Sequence, residues 1–354
     1  MGMPGINISF TEKAATAISR GNRGIIAMIL RESAPVKNPM EILSAADIPS
    51  SFLAANRKQI ENAQKGYVSA PKKILAYCIG ADAEDYTEAL KALETEKFNY
   101  LVAPSCETDG QTSALASWVG AMRADGKMIK AVLPNSASDR EYIVNYTTES
   151  VTDEDGTDYT AEEYCSRIAG IIAGTPLSIS CTYAPLPELS DCTRLGKADM
   201  DQAVEKGEFF VFHDGEKVKT ARGVTSFVTV TETKGGQFKK IKIMDAADMI
   251  TDDIRKTVED SYIGKYANSY DNKCILMSAI GNYFESLKKS GVLSSHKVEI
   301  DVAENRRYLE EHGINTADLS DEKVKKADTG DAVFLLANVK ILDAIEEVSL
   351  PIAI

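Results

Sequence analysis

The three histidines are the side chains best suited to acid–base chemistry near neutral pH. His213 precedes an Asp-Gly turn, His312 precedes a glycine at a predicted helix end, and His296 lies in a connecting segment. His213 is therefore explained as a hairpin residue, and His312 as a residue at a helix end that interacts favourably with the helix dipole. Neither position requires a catalytic role. No serine lies in a G-x-S-x-G motif, so the nucleophile motif of an α/β-hydrolase is missing.

The sequence also lacks the common motifs for phosphate and metal binding. The chain has no G-x-x-x-x-G-K-[ST] loop and no G-x-G-x-x-G after its first predicted strand. Residues 151–160 form an acidic segment that can be compared with the calcium-binding loop of an EF-hand. Counted from Asp153, however, position 6 is Asp158 where glycine is required, and position 12 is Tyr164 where glutamate is required. We therefore expect a solvated turn, with no metal site and no cofactor.

The six cysteines are scattered and contain no C-x-x-C pair. In a chain of this length such spacing is typical of reduced thiols in a core, not of a disulfide framework or a zinc site. The positions are Cys78, Cys106, Cys165, Cys181, Cys192 and Cys274.

Bulk properties are those of a soluble globular protein. The 354 residues are 44% hydrophobic and 26% charged, with a net charge of −13. This charge argues against nucleic-acid binding, which needs a basic surface. No apolar run reaches the roughly 20 residues that span a bilayer, and the first residues lack the pattern of a secretory signal. We therefore expect synthesis in the cytoplasm and no membrane insertion.

Apolar periodicity predicts an alternating β/α pattern in the first half of the chain. Strands of this spacing, separated by helices, indicate a layered, parallel α/β core. The predicted strands are Ile25–Leu30, Ile74–Ile79, Tyr100–Val102 and Met128–Leu133; the predicted helices are Phe52–Lys65, Asp85–Leu93, Gln111–Ala124 and Ala161–Ala173. The last of these begins with a Thr160–Glu163 capping box.

The second half predicts hairpins followed by an α+β segment, with a change of composition near residue 235. The predicted hairpins pair Phe209–His213 with Lys217–Thr220, and Val224–Thr231 with Phe238–Ile243. After them come helices at Ala246–Tyr262, Cys274–Ser290 and Asn305–Glu311, and strands at Val298–Val302, Ala332–Leu342 and Glu347–Ile354.

Both ends of the chain alternate apolar and polar residues, as a half-buried strand does. The apolar positions are Ile6, Ile8 and Phe10 near the start, and Val348, Leu350, Ile352 and Ile354 at the end. A strand with one apolar face needs a partner surface, either in the same molecule or in another copy. The segments Thr11–Gly24 and Asp343–Glu347 are predicted to be flexible hinges beside these strands.

Six segments along the full length of the chain carry a resemblance to a known family: MPGINISFTEKAATAISRGNRGIIAMIL, KFNYLVAP, KAVLPNSASDREYIVNYTTE, FFVFHDGEKVKTARGVTSFVTVT, GNYFESLKKSGVL and TGDAVFLLANVKILDAIEEVSLPIAI. With them the chain resembles the tail sheath proteins of contractile phage tails, in the compact form of Gram-positive myophages and phage-tail-like (R-type) bacteriocins. The resemblance implies a subtilisin-like central α/β domain without a protease's catalytic residues. It divides the chain into an N-terminal linking arm (1–24), a central domain (25–235), a C-terminal sheath domain (236–342) and a C-terminal linking arm (343–354).

The resemblance also implies a mechanism. Sheath subunits stack as hexameric rings around an inner tube, their arms donate strands to neighbouring subunits, and contraction drives the tube through a cell envelope. The implied partners are other copies of the chain, the tube protein, and baseplate and tail terminator proteins, in a virion tail or a released tail-like particle. We expect Val333, Leu335, Val339 and Ile341 to belong to the sheet that receives the arms, and Lys323, Lys325 and Lys326 to contact the tube.

Two other functions compete with this interpretation. An α/β enzyme, perhaps a hydrolase with an active site built from distant residues, would show a deep polar pocket with coupled titratable groups. A plain oligomeric binding module would pair both chain ends within its own sheet.

Overall fold

A computed structural model of the chain describes residues 16–21, 23–33 and 37–353. These residues form two compact units. The α/β unit contains residues 21–252 and 342–353, and the C-terminal unit contains residues 16–20 and 253–341. The predicted boundary near residue 235 lies ahead of this division, which falls inside one long helix.

The strands of the described residues are β1 (Ile25–Glu32), β2 (Met40–Ile42), β3 (Lys73–Gly80), β4 (Tyr100–Val102), β5 (Lys130–Pro134), β6 (Ile143–Tyr146), β7 (Ser150–Asp153), β8 (Asp158–Thr160), β9 (Leu189–Cys192), β10 (Glu208–Phe209), β11 (Val211–His213), β12 (Val218–Thr220), β13 (Leu293–Ile300) and β14 (Leu335–Ile341). The α-helices are α1 (Ala54–Gln64), α2 (Thr87–Leu93), α3 (Thr112–Ala124), α4 (Ala161–Ala173), α5 (Lys197–Glu205), α6 (Ile241–Ser261), α7 (Tyr270–Lys289), α8 (Val302–Glu311) and α9 (Asp321–Lys326).

A seven-stranded sheet organises the α/β unit, in the order β10-β6-β5-β4-β1-β3-β2. Its neighbours are parallel except β2, which runs antiparallel to β3 at one edge. Helices cover both faces: α1 and α4 contribute to one apolar layer, and α2 and α3 contribute to the other. Burial on both faces explains why β1 is a continuous apolar run and not an alternating one. The predicted layered α/β architecture is confirmed.

Helix α4 crosses α1 at a very small separation. The helix begins where predicted, since the Thr160 hydroxyl accepts from the amide of Glu163 and the Glu163 carboxylate accepts in return. At the crossing, a Cβ added to Gly170 would lie 2.1 Å from the carbonyl oxygen of Ala63. Glycine at this position therefore permits the two helices to pack.

One of the two predicted hairpins is correct. β11 and β12 pair antiparallel around the turn at Asp214, whose carboxylate accepts from the amides of Glu216 and Lys217. The second hairpin, predicted between Val224–Thr231 and Phe238–Ile243, is wrong. An isolated bridge joins Val224 to Lys240, and beside it the Thr225 amide donates to the Lys239 carbonyl at 2.8 Å and the Ile241 amide to the Gly223 carbonyl at 3.1 Å. The pairing extends no further, because residues Gly236–Lys239 form a 3-10 helix and α6 begins at Ile241.

The C-terminal unit packs α7 against β13. Buried Phe284 and Leu287 of the helix form an apolar layer with Leu293 and Ile300 of the strand. β13 pairs antiparallel with β14, which confirms the existence of the strand predicted at Ala332–Leu342.

The final predicted strand, Glu347–Ile354, forms no ladder with the described part of the chain, and residues 343–353 carry no strand assignment. The backbone N–H and C=O groups of an extended segment need a partner strand, and none of the described strands supplies one here.

Candidate intersubunit surface

The C-terminal arm, residues 348–353, presents its apolar side chains to solvent. Val348, Leu350 and Ile352 are exposed by 83%, 76% and 77%, more than any large hydrophobic residue in the described part of the chain except Ile345. Alternate positions share one face wherever such a segment is extended, because side chains then alternate from side to side. Exposed apolar residues grouped in this way are typical of binding surfaces.

The arm is fixed at its root by a buried carboxylate. Both oxygens of Glu346 are engaged: the hydroxyls of Thr182 and Ser180 donate to one at 2.6 and 3.2 Å, and Arg222 Nε and Lys240 Nζ contact the other at 3.1 and 3.2 Å. The side chain of Glu346 is only 6% exposed. We call these five residues the arm clasp.

Contacts on either side of Glu346 reinforce the clasp. Lys240 also pairs with Asp343, Lys242 donates to the carbonyl of Leu342, and Arg222 donates to Glu347 at 2.7 Å. The segment Asp343–Glu347 was predicted to be a flexible hinge. In the structure its charged side chains are paired, because three basic residues distant in sequence converge on it.

The clasp depends on ionised carboxylates. Burial alone would raise the pKa of Glu346, but the hydrogen bond from Thr182 and the charge of Lys240 hold that pKa below its ordinary value. Burial opposes ionisation of Asp343 in the same way, and the hydrogen bond from Lys240 holds its pKa low as well. The pKa of Lys240 is raised in turn, since Asp343 and Glu346 outweigh the effect of burial.

β14 offers an open sheet edge. Among the described residues it pairs only with β13, and no described strand lies along its other edge. Of the predicted receiving residues, Leu335 and Ile341 are half-buried at its two ends, Val339 is exposed in the middle, and Val333 is exposed just before the strand. An exposed edge with apolar side chains is prone to add a further strand.

The N-terminal arm residues Ile6, Ile8 and Phe10 lie outside the described residues. The segment that follows them is docked on the C-terminal unit. Ile18 is buried, and the Arg20 guanidinium donates to the hydroxyl of Ser290 at 2.9 Å.

The three lysines predicted to contact a tube lie on the short helix α9. Lys323 is exposed, Lys325 pairs with Glu322 at 3.3 Å, and Lys326 lies 5.5 Å from the ring centre of Tyr270. Two of the three charges therefore have partners within the chain, and the role in tube contact stays a prediction.

The strongest cluster of buried charges lies at the amino ends of β4 and β5. Lys130 Nζ contacts Asp248 at 2.6 Å and Asp245 at 3.2 Å, and Arg123 binds Asp248 with two hydrogen bonds of 2.8 and 3.0 Å. Arg23, at the start of β1, pairs with Asp245. Ligand sites in open α/β sheets lie at the carboxyl ends of the strands, so this cluster occupies the opposite edge. Its paired charges attach α6 to the sheet.

The histidines do not assemble into a site. His213 Nδ1 accepts from the amide of Gly215 at 2.9 Å, His296 contacts Glu285 at 3.2 Å, and His312 contacts the carbonyl of Tyr308 at 2.7 Å. The contacts of His213 and His312 are local, as expected for turn and helix-end residues. His296 was predicted to lie in a connecting segment; it lies instead within β13, where it contacts a side chain of α7.

The acidic segment around Asp153 forms a tight turn between β7 and β8. The Asp153 carboxylate accepts from the amides of Asp155 and Thr157 at 3.0 and 2.9 Å. In the described part of the chain, no group of three or more His, Cys, Asp or Glu side chains is arranged to hold a metal ion.

Five of the six cysteines are buried, and burial raises the pKa of Cys106 to about 12. None of the helices described is both long and apolar enough to cross a membrane.

Comparison with known proteins identifies the family. Residues 80–226 match the family model of the phage tail sheath protein central domain, and residues 233–354 match that of the phage tail sheath C-terminal domain. The tail sheath protein of Clostridium phage phiCD119 is 35% identical over 99% of this chain and 98% of its own length. The chain belongs to the phage tail sheath family.

Solved sheath structures share the fold of this sheath subunit. A sheath tail protein from Desulfitobacterium hafniense matches with a TM-score of 0.71 at 20% identity, covering 84% of this chain and 94% of its own. The helical sheath of the anti-feeding prophage, in its contracted state, matches with a TM-score of 0.73 at 14% identity, covering 100% and 99%. The chain is thus a structural sheath subunit, and the hydrolase alternative has no support.

No motif or spacing in the sequence predicts the arm clasp. Thr182, Arg222 and Lys240 come from three separate segments, and none lies in a motif. The one available signal was the pair of acidic residues at 346 and 347 in an otherwise apolar tail, which predicts basic partners but not which ones.

Proposed function

We propose that this sheath subunit polymerises around an inner tube by β-strand exchange, in which the C-terminal arm of one copy adds to the open edge of β14 in another. The observation that carries the proposal is the exposed apolar face of Val348, Leu350 and Ile352 on an arm whose root is fixed. Strand addition satisfies backbone hydrogen bonds along the edge, while alternate side chains enter apolar contacts. The anti-feeding prophage relative, described as a helical sheath, supports helical assembly.

The free energy gained by burying the arm's apolar side chains and the entropy lost on ordering the arm are of similar size, so the link is expected to be stable only within a polymer. Burying each of the three side chains contributes about 1.5–3 kcal/mol. Ordering the arm costs about 1–2 kcal/mol per backbone residue, which offsets much of that gain. A single link is therefore weak. Many links in one polymer are strong together because each subunit held by its neighbours presents its arm at a high effective concentration.

The remaining parts of the proposal follow the family. Subunits form stacked hexameric rings in the bacterial cytoplasm, contact the inner tube, the baseplate and the tail terminator, and contract without enzymatic activity to drive the tube through a cell envelope. Lys323, an exposed residue within α9, is the proposed place of tube contact. The N-terminal residues Ile6, Ile8 and Phe10 supply the second link.

Removing residues 348–354 tests the strand link while leaving the arm clasp intact. We expect the full chain to form wide tubes or hexameric rings in negative-stain images, and the shortened chain to remain a folded, dispersed subunit by circular dichroism and sedimentation velocity. Tubes formed by the shortened chain at a similar concentration would contradict the proposal.

A matched pair of charge substitutions separates the apolar face from the arm as a whole. Leu350→Asp places a charge on the apolar face, and Ser349→Asp places the same charge on the opposite face. We expect only Leu350→Asp to block assembly, because it alone puts a charge into the apolar contact. Equal effects of both would indicate that net charge, and not the apolar face, controls assembly.

A further inference from the structure

The α/β unit carries an open groove of about 550 Å³ beside the root of the C-terminal arm. One side of the groove is formed by α5, another by residues at β11 and after β12, and a third by the arm root itself, at Glu346 and Glu347. The apolar residues of the lining pack together with buried Ala203; they are Met200, Val204, Phe210, Phe212 and Ala221. The groove thus places an apolar surface directly beside the point from which the arm leaves.

Tyr183 adds an exposed aromatic ring to this groove. Its side chain is 58% exposed, and its backbone is in the left-handed region, with a φ of 59°. This conformation is uncommon for a bulky residue and persists only where the surrounding contacts impose it. The Tyr183 amide donates to the Ala221 carbonyl at 3.3 Å. The centre of its ring lies 5.5 Å from that of Phe212 and 4.8 Å from Lys219 Nζ. The ring is therefore held in one place while it remains exposed, which is a property of the aromatic anchors of protein interfaces.

Charged pairs surround the apolar lining. Lys197 contacts Asp201 at 3.6 Å on α5, and Arg222 contacts Glu347 at 2.7 Å at the arm root. An apolar centre with a polar rim is the usual arrangement of a protein–protein interface. None of the described lining residues has a buried polar side-chain atom without a partner, whereas a small-molecule site uses a few such groups to orient its ligand. The lining therefore suits the surface of another protein.

The length of the arm indicates which protein comes near the groove. Residues 348–353 span at most about 20 Å when extended. A copy whose β14 edge receives them must approach within that distance of Glu347, which itself lines the groove. Specific interfaces use roughly 20–30 residues on each side, far more than the arm supplies, so two copies joined by the arm need further contact surface close to it.

We propose that the groove between α5 and β11 is a second contact surface between sheath subunits, covered by the copy that receives the C-terminal arm, with Tyr183 as its aromatic anchor. The inference rests on the proposed strand exchange, because the arm brings that copy close. It adds a contact made by the body of the α/β unit to the contact made by the arm.

Oxidation of Met200 by hydrogen peroxide, measured by mass spectrometry, tests whether assembly covers the groove. Met200 is half-buried in the single chain, and the conversion of methionine to its sulfoxide requires access of the oxidant. We expect oxidation in tubes or rings of the purified full chain to be roughly tenfold or more slower than in free subunits, because the groove is then shielded from the oxidant. Met28, which is 0% exposed, gives the rate of a fully buried methionine in the same sample.

Three results of this measurement would overturn the proposal. Unchanged oxidation of Met200 on assembly would show that the groove stays open in the polymer. Protection that appears only after the tube protein is added would assign the groove to the tube. Slow oxidation in free subunits that rises on removal of residues 348–354 would show that the chain's own arm occupies it.

The two proposals fail in different ways. The first two of these results would leave strand exchange standing, and assembly of the chain without residues 348–354 would contradict strand exchange itself. A purified full chain that forms neither tubes nor rings would contradict both proposals together.

Tyr183→Asn tests the anchor. Asparagine tolerates the left-handed conformation, so the ring is lost while the backbone keeps its course. We expect the concentration at which assembly begins to rise roughly tenfold or more, because aromatic anchors carry a large share of the binding free energy. Val68→Asn is the matched control, since Val68 is 61% exposed but does not line the groove, and assembly should be unchanged. An unchanged assembly concentration for Tyr183→Asn, or an equal effect of both substitutions, would overturn the role of Tyr183.

Discussion

The Thr182 hydroxyl donates a 2.6 Å hydrogen bond to the buried carboxylate of Glu346, two residues before the exposed arm begins. The arm therefore leaves the α/β unit from a fixed point, although its own side chains contact solvent. A fixed root reduces the number of directions that the arm samples, and so reduces the entropy lost when it binds.

Glu346→Gln should loosen the arm root without unfolding the subunit. The substitution removes the negative charge that Arg222 and Lys240 contact. The free energy that holds the arm root in place should then fall by about 1–2 kcal/mol, which corresponds to roughly 5–30-fold more frequent local opening. Amide hydrogen exchange of residues 342–348 measures this change. Glu347→Gln is the matched control: it removes a contact with the same Arg222, but that side chain is 81% exposed and an exposed ion pair contributes little, so exchange should change little. Equal protection in the wild type and Glu346→Gln would contradict a role for the clasp.

Acid should release the same segment. The pKa values of Glu346 and Asp343 lie below their ordinary values of 4.5 and 3.8, so their contribution is fully present above those values. It is lost as the pH falls through the lowered, folded-state values, because protonation then removes the charges that Lys240 binds. Limited proteolysis of the arm between pH 6 and pH 3 should show cleavage rising only in the acidic part of this range. In Glu346→Gln the arm should already be more susceptible at pH 6.

Gly170→Ala should destabilise the α/β unit by about 1–3 kcal/mol, because the added methyl group forces α4 away from α1. Gly281→Ala offers the opposite case. Gly281 lies within α7 and an added Cβ would meet no atom within 4 Å, so alanine should stabilise the helix by about 0.5–1 kcal/mol. Urea denaturation of both variants measures whether the free energy of unfolding falls for Gly170→Ala and rises for Gly281→Ala. A neutral Gly170→Ala would show that the helix crossing relaxes freely.

Asp248→Asn should lower the free energy of unfolding more than the loss of an exposed ion pair does. It leaves Lys130 and Arg123 buried beside each other without the charge that both contact, and breaking a buried pair costs about 3–5 kcal/mol. The exposed pair of Arg307 with Glu304 provides the control, and Arg307→Gln should leave the unfolding transition nearly unchanged. Chemical denaturation followed through Trp118 reports on the unit that contains the cluster.

Several elements of the fold were predictable because they depend on local patterns. The buried strand at 25–30, the helix at 161–173 and the hairpin around Asp214 follow from apolar periodicity, a capping box and a turn signal. The pairing of Val224–Thr231 with Phe238–Ile243 failed for a non-local reason. The apolar residues after Lys240 fit both a strand and the first turn of a helix, and packing of α6 through Asp245 selected the helix.

The sequence by itself determined that the C-terminal end is an alternating apolar segment, since period-2 spacing needs no knowledge of the rest of the molecule. Tertiary structure alone decided that this segment has no strand partner among residues 16–21, 23–33 and 37–342, and that Glu346 holds its root. Hydrogen bonds from Thr182, Arg222 and Lys240 join positions more than 100 residues away in the chain. Such contacts depend on how the sheet and its helices bring distant segments together, which the spacing of residues does not encode.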